Sequence, residues 1–318
     1  MQLNRRDFLS TTCVTAAAMF VPRIAGAATF KTKLSRAMIV GEVSEKTLLP
    51  LKEAGFDGVE SSGIIDAEAA AACRKIADKV GLRIHSVLRG WAEFNSEDPA
   101  KVASSLALTE KAMRAAKGYG ADDILLVPCR IGGMPMPQPW EFKIAFDDKT
   151  GHVISVVDGD NEKYRAYIDA HNRAIDTSRD AVKKLIPLAE ELKIVIALEN
   201  VWNNLWVQPE IYRHFVASFQ SEWVRSYFDI GNHVKYRAPQ EWIRTLGPLI
   251  AKCHVKDFKL NPDGHGGKFV HPRDGDIQWP EVRRALDDIG YNGWLTIEDG
   301  GLPLPEFRAR LDKIIAGE

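Results

Sequence analysis

The stretch IADKVGLRIHSV, residues 76–87, passes from helical spacing through a glycine into a short β-rich run. Glycine takes the left-handed conformation that closes a helix, and an apolar run straight after it reads as a buried parallel strand. The same unit recurs in LKEAGFDGVE (51–60), AKGYGADDILLV (116–127) and DDIGYNGWLTIE (287–298). LAEELKIVIALEN (188–200) makes the same transition without the glycine. In the helix before it, Val182, Leu185, Ile186, Ala189 and Leu192 keep the spacing of one buried face, while Pro187 predicts a kink. Candidate strands fall at 36–40, 58–61, 83–87, 123–127, 194–199, 223–229, 250–256 and 294–298, separated throughout by helical stretches. Alternating βα units of this number suit an α/β fold of the (β/α)8 TIM-barrel type. A doubly wound sheet is the competitor, and no GxGxxG follows the first strand to support its dinucleotide-binding form.

The regular spacing breaks between residues 128 and 163. PCRIGGMPMPQPW (128–140) is loop by composition, and FKIAFDDKTGHVISVV (142–157) alternates around a turn and predicts a hairpin. Such an insertion after the fourth strand stands on the catalytic face, as a lid, a substrate wall or a contact between copies.

Charge is nearly balanced over the 318 residues, with 42 Lys and Arg against 43 Asp and Glu. That balance leaves no basic footprint for nucleic acid. Asn4-Arg5-Arg6-Asp7-Phe8-Leu9 followed by the apolar TTCVTAAAMFV and Ala25-Gly26-Ala27 reads as a twin-arginine export signal over residues 1–27. Residues 28–318 then form a single domain, directed to the periplasm with no stable membrane anchor. Cys73, Cys129 and Cys253 are too few and too scattered for a disulfide framework or a zinc cluster.

Four candidate strands end in an ionisable residue after an apolar run: Glu199, Asp229, His254 and Glu298. A lone strand histidine is usually a core residue, and a lone strand-end glutamate usually faces a loop. In a barrel, however, these four ends converge on one mouth. Crowded carboxylates hold one another protonated unless a cation sits between them. One histidine with three carboxylates suits a single hard divalent ion, manganese first, with magnesium or cobalt as alternatives.

ALEN (197–200), FDIGNH (228–233), CHVKDF (253–258) and LTIE (295–298), in this order, resemble the xylose-isomerase-like barrels of the sugar phosphate isomerase/epimerase group. The approach to the last strand, RDGDIQWPEVRRALDDIGYNGWLTIE (273–298), also looks like that group. The resemblance implies a metal held by Glu199, Asp229, His254 and Glu298, with Glu199 and Glu298 also exchanging the substrate proton through an enediolate. Two bases on opposite faces of a carbon are what epimerisation requires. Around these, Lys256, His85, Glu60, Trp202, His233 and Arg273 are the candidate substrate contacts, and Trp91 is a second aromatic at a strand end. The chain departs from some epimerases at Asn232, where they carry a histidine; His233 follows one position later.

The expected function is a metal-dependent isomerase or epimerase acting on a small carbohydrate, with a homo-oligomer as one expected state in solution. Sugar phosphates are cytoplasmic, and neither a phosphate-cradling loop nor a dense arginine cluster stands out, so a free sugar or glycoside is the expected substrate. The same site suits a 3-keto-glycoside lyase or hydratase as the alternative. An endonuclease-IV-like phosphodiesterase would need a basic groove, and a sugar-binding protein would need no converging acids.

Overall fold

The computed structural model describes residues 29–318, so the export signal expected at 1–27 lies outside the described residues. The first half of the barrel runs β1 (Ser35–Val40), α1 (Glu45–Glu53), β2 (Gly58–Ser61), α2 (Ala67–Val80), β3 (Arg83–Trp91), α3 (Pro99–Tyr119) and β4 (Asp123–Val127). A small hairpin of β5 (Ala145–Phe146) and β6 (Val153–Ser155) follows, and then α4 (Arg165–Leu192). The second half is β7 (Val195–Glu199), α5 (Pro209–Ala217), β8 (Val224–Asp229), α6 (Pro239–Leu246) and β9 (Ile250–Val255). A second hairpin, β10 (Asp257–Leu260) and β11 (Gly267–Val270), precedes α7 (Trp279–Asp288), β12 (Trp294–Ile297) and α8 (Leu304–Ala316).

Eight parallel strands close into a barrel in the order β1-β2-β3-β4-β7-β8-β9-β12. The fold is the (β/α)8 barrel expected, with an antiparallel insertion after its fourth strand. Local rules explain its joints. Helices α2 and α3 end at Gly81 and Gly120, whose φ angles of 81° and 74° are the left-handed cap. Where the sequence offers no glycine, Lys193 takes φ 57° to turn α4 into β7. Helix α4 runs through Pro187 without a break, and Val182, Leu185 and Ala189 are buried as the spacing requires.

Most of the apolar core lies between the strands and their helices. A second, smaller apolar cluster on β4, β7 and β8 consists of Leu125, Val127, Ala197 and Tyr227. The rest of the interior is polar and layered. At the floor, Lys252 Nζ pairs with Asp122 and Asp123 at 3.0 and 3.2 Å. Burial pushes the Asp123 carboxyl up to about 6, against the opposing pull of Lys252.

Candidate metal centre

Glu199, Asp229 and His254 sit at the C-terminal ends of β7, β8 and β9, and Glu298 directly follows β12. Parallel register places His254 opposite both Asp229 and Thr296. Each of the four residues offers one ligand atom, and these atoms all lie within 4.8 Å of one another. His254 Nδ1 is 3.0 Å from Glu298 Oε2, 3.5 Å from Glu199 Oε1 and 4.0 Å from Asp229 Oδ2.

The orientations of His254 and Asp229 are fixed from behind. His254 Nε2 donates to Glu60 Oε2 at 2.5 Å, which leaves Nδ1 as the face turned to the carboxylates. Asp229 Oδ1 accepts from the backbone N–H groups of Gly231 and Asn232, so Oδ2 is left for the centre. Asn200 ties β7 to β8 by accepting from the Asp229 N–H at 2.6 Å and donating to its carbonyl at 2.9 Å. Sequence reasoning passed over Asn200, although it stands beside Glu199 in the quoted ALEN.

His254 Nδ1, Asp229 Oδ2 and Glu298 Oε2 are buried with no hydrogen-bond partner. Lys256 Nζ supplies only charge, 3.3 Å from the Asp229 oxygen and 2.8 Å from that of Glu298. Orphaned buried atoms that converge are costly unless something bridges them. Charge agrees. Glu60, Glu199, Asp229 and Glu298 are four acids facing only Lys256 and, when protonated, His254. With His254 neutral, as a metal-ligating imidazole must be, the four carboxylates and Lys256 leave a triple negative charge that a divalent cation offsets in large part, and the mixed N/O donor set fits the ion expected.

Titration follows the same crowding. Burial raises Glu199, with Glu298 adding to the rise, and burial pushes Asp229 up to about 7. Burial alone would raise Glu298 too, but His254 and Lys256 together hold it well below the ordinary carboxylate range. Burial opposes a proton on His254, yet Glu60 and Glu298 hold that proton well above the ordinary histidine value. Acidic carboxylates around a proton-retaining histidine are a place where a metal ion competes with a proton.

Two of the six candidate substrate contacts, Lys256 and Trp202, stand on the side of the barrel where the centre lies. Lys256 lies against the centre. Trp202 stands on the loop after β7, its indole N–H donating to the Asn232 carbonyl and its ring 5.0 Å from that of Phe269. The other four are held by other partners. Glu60 is fully buried and holds His254 together with Tyr227 and Ser86, so it backs the centre. His85 falls at a slip in the β2–β3 register, buried low in the barrel, bonded to Thr296 and stacked on Trp294. His233 is buried against Trp242, with Asn200 on its Nδ1, and burial drops its pKa to about 3. Arg273 turns away to the Glu318 carbonyl at the C-terminus. Trp91, by contrast, is exposed at the end of β3 with Arg130 over its ring. The segment after His254 holds the β10–β11 hairpin. Its His265 stacks on Trp140 of the insertion, 4.0 Å between ring centroids.

The profile of a family described as "Xylose isomerase-like TIM barrel" matches residues 48–313. Among solved structures, the chain is similar to a 3-keto-D-glucoside 4-epimerase from E. coli. That pair shares 14% identity, with 89% of this chain and 99% of that one covered at a TM-score of 0.63. A D-tagatose 3-epimerase-like protein shares 17%, covering 89% and 97% at 0.65. A D-allulose 3-epimerase from Methylomonas sp. shares 18%, covering 90% and 91% at 0.61. At these identities the likeness is one of fold. An uncharacterised protein of Methanocaldococcus jannaschii is 29% identical over 129 residues, a match spanning 39% of this chain and 43% of that protein's length. No helix among the described residues is long and apolar enough to cross a membrane.

Proposed function

The chain belongs to the xylose isomerase-like TIM-barrel family, and on that premise we propose that it is a divalent-metal-dependent isomerase or epimerase of a non-phosphorylated sugar or glycoside. The observation that carries this reading is the placement of two glutamates on either side of one histidine. Glu199 and Glu298 come from strands separated by β8 and β9, and both approach His254 Nδ1. A carbon held between them has a base on each face. An ion held by Glu199, Asp229, His254 and Glu298 would supply Lewis acidity toward a carbonyl and its neighbouring hydroxyl.

The protein's own groups do the remainder. One glutamate takes the proton from the carbon beside the carbonyl, and the other returns one to the opposite face. Lys256 keeps Glu298 ionised between turnovers, and the Asn200 bridge holds β7 and β8 in step. The similar epimerases of 3-keto-glucoside, tagatose and allulose type favour a carbohydrate with a free carbonyl. Export to the periplasm is part of the proposal and rests on Arg5-Arg6. A reporter fused to residues 1–27 should be exported and should stay inside the cell after Arg5→Lys and Arg6→Lys; export unaffected by both changes would sink that part.

The central test is proton exchange in D2O. Protein stripped by chelator should show no incorporation of deuterium into ketoses or 3-keto sugars, and Mn2+, Mg2+ or Co2+ should restore it. Exchange without a metal, or none after reloading, contradicts the proposal. Release of an aglycone from a 3-keto-glycoside, without recovery of an epimer, would instead select the lyase that shares this site.

A further inference from the structure

The four residues of the centre are unequally open to solvent. Asp229 and His254 are fully buried and Glu199 nearly so, while the Glu298 side chain is 34% exposed. Its Oε2 is the buried, orphaned oxygen at the centre, so the exposed part of the carboxylate looks the other way. On that side lies a cavity of about 380 Å³, bounded by Glu298, Lys256, Phe269, His271 and Asp299, which joins the centre to the β10–β11 hairpin. From Lys268 to His271 the hairpin edge along this cavity is about 10 Å long at strand spacing, longer than one pyranose ring.

The lining is chemically specific. Phe269 is 42% exposed although it is large and apolar. It is not loose, because its ring packs edge-on against buried Phe258 at 5.3 Å and beside Trp202 at 5.0 Å. Next to it, His271 Nδ1 lies 2.7 Å from Asp299 Oδ2. The carboxylate accepts, so Nδ1 carries the proton and Nε2 is left as an acceptor held in a fixed direction. Asp299 adjoins Glu298 in sequence, so the dyad is anchored to one of the two proton-moving residues. A braced aromatic face beside a fixed histidine acceptor and a carboxylate is suited to a second sugar or aryl ring bearing hydroxyl groups.

Resting on the isomerase reading, we propose that this cavity is a second subsite and that the substrate is a glycoside whose additional ring packs on Phe269 and hydrogen-bonds to His271. Two matched pairs test it on the full chain loaded with Mn2+: D-fructose against isomaltulose, and 3-keto-D-glucose against its phenyl β-glycoside. Calorimetry should show the glycosylated member of at least one pair binding about tenfold tighter, and D2O exchange should show its KM lower by a similar factor. Phe269→Ala and His271→Ala should each remove most of that preference, and Phe269→Tyr should keep it. Equal binding within both pairs, or a preference that survives both alanine variants, overturns the subsite while free-sugar exchange leaves the isomerase reading standing. Binding and exchange absent from all four probes would sink the isomerase reading, and the subsite with it.

Discussion

Glu298→Gln and Glu199→Gln are each expected to lower sugar turnover by roughly 10²- to 10⁴-fold, the usual worth of a positioned acid or base. Glutamine keeps the shape and one ligand oxygen but cannot accept the proton. Ion binding should weaken in both variants and persist at saturating metal. The pattern across the two separates the chemistries. If the protein is an epimerase with one base on each face, each variant loses interconversion yet still exchanges the proton of the epimer its surviving base can reach. If it is an isomerase that moves a proton along one face, one variant loses both exchange and conversion, and the other is far milder. Proton NMR in D2O, started separately from each epimer, reads both outcomes. Turnover at the parent level in both metal-saturated variants would show that neither glutamate handles the proton. Glu298 should also be the more sensitive to Lys256. Lys256→Met removes the charge 2.8 Å from its Oε2 that helps to keep it ionised.

The barrel was legible because its signal is repetitive and local. A helix face, a left-handed cap and a short apolar strand can each be read within about a dozen residues, and the strand ends then follow. Glu199, Asp229, His254 and Glu298 were legible for a related reason: parallel strands in a closed barrel must bring their C-terminal ends together, whatever the distance in sequence. What stands behind those ends was not legible. Glu60 read as a candidate substrate contact, and only the closed ring of strands shows it crossing the interior to His254 Nε2. The depth of His85 was hidden because β3 continues to Trp91 and slips register beside Glu60, so the histidine sits low in the barrel and not at its end. The β10–β11 hairpin was hidden by composition. Its two strands are four residues each, and the Asn-Pro-Asp-Gly between them reads as plain loop. Arg273 could not be placed by spacing, and its positive φ of 78° belongs to a turn from which the side chain reaches Glu318.

Glu60 gives the second large effect, because the sequence and the structure assign it different work. As a substrate contact, its loss would raise KM and leave the ion in place. As the acceptor of the His254 Nε2 proton, it fixes the ring with Nδ1 facing Glu199, Asp229 and Glu298 and makes that nitrogen a better donor to a metal. The structure supports the second role. Glu60 has no exposed surface, and Ser86 and Tyr227 donate to its two oxygens at 3.0 and 3.2 Å, so both are committed inside the barrel. Glu60→Gln is therefore expected to weaken metal binding by roughly 10- to 100-fold, read by competition with a chelating indicator, while KM at saturating metal changes little. Glu60→Leu should cost more, since it leaves a buried imidazole N–H with no acceptor. Because the effect passes through one nitrogen, Glu60→Gln added to His254→Ala should weaken binding little beyond His254→Ala alone. Full additivity of the two, or a raised KM with unchanged metal affinity in Glu60→Gln, would return Glu60 to the substrate and leave the orientation of His254 to the packing of Tyr227 against its ring.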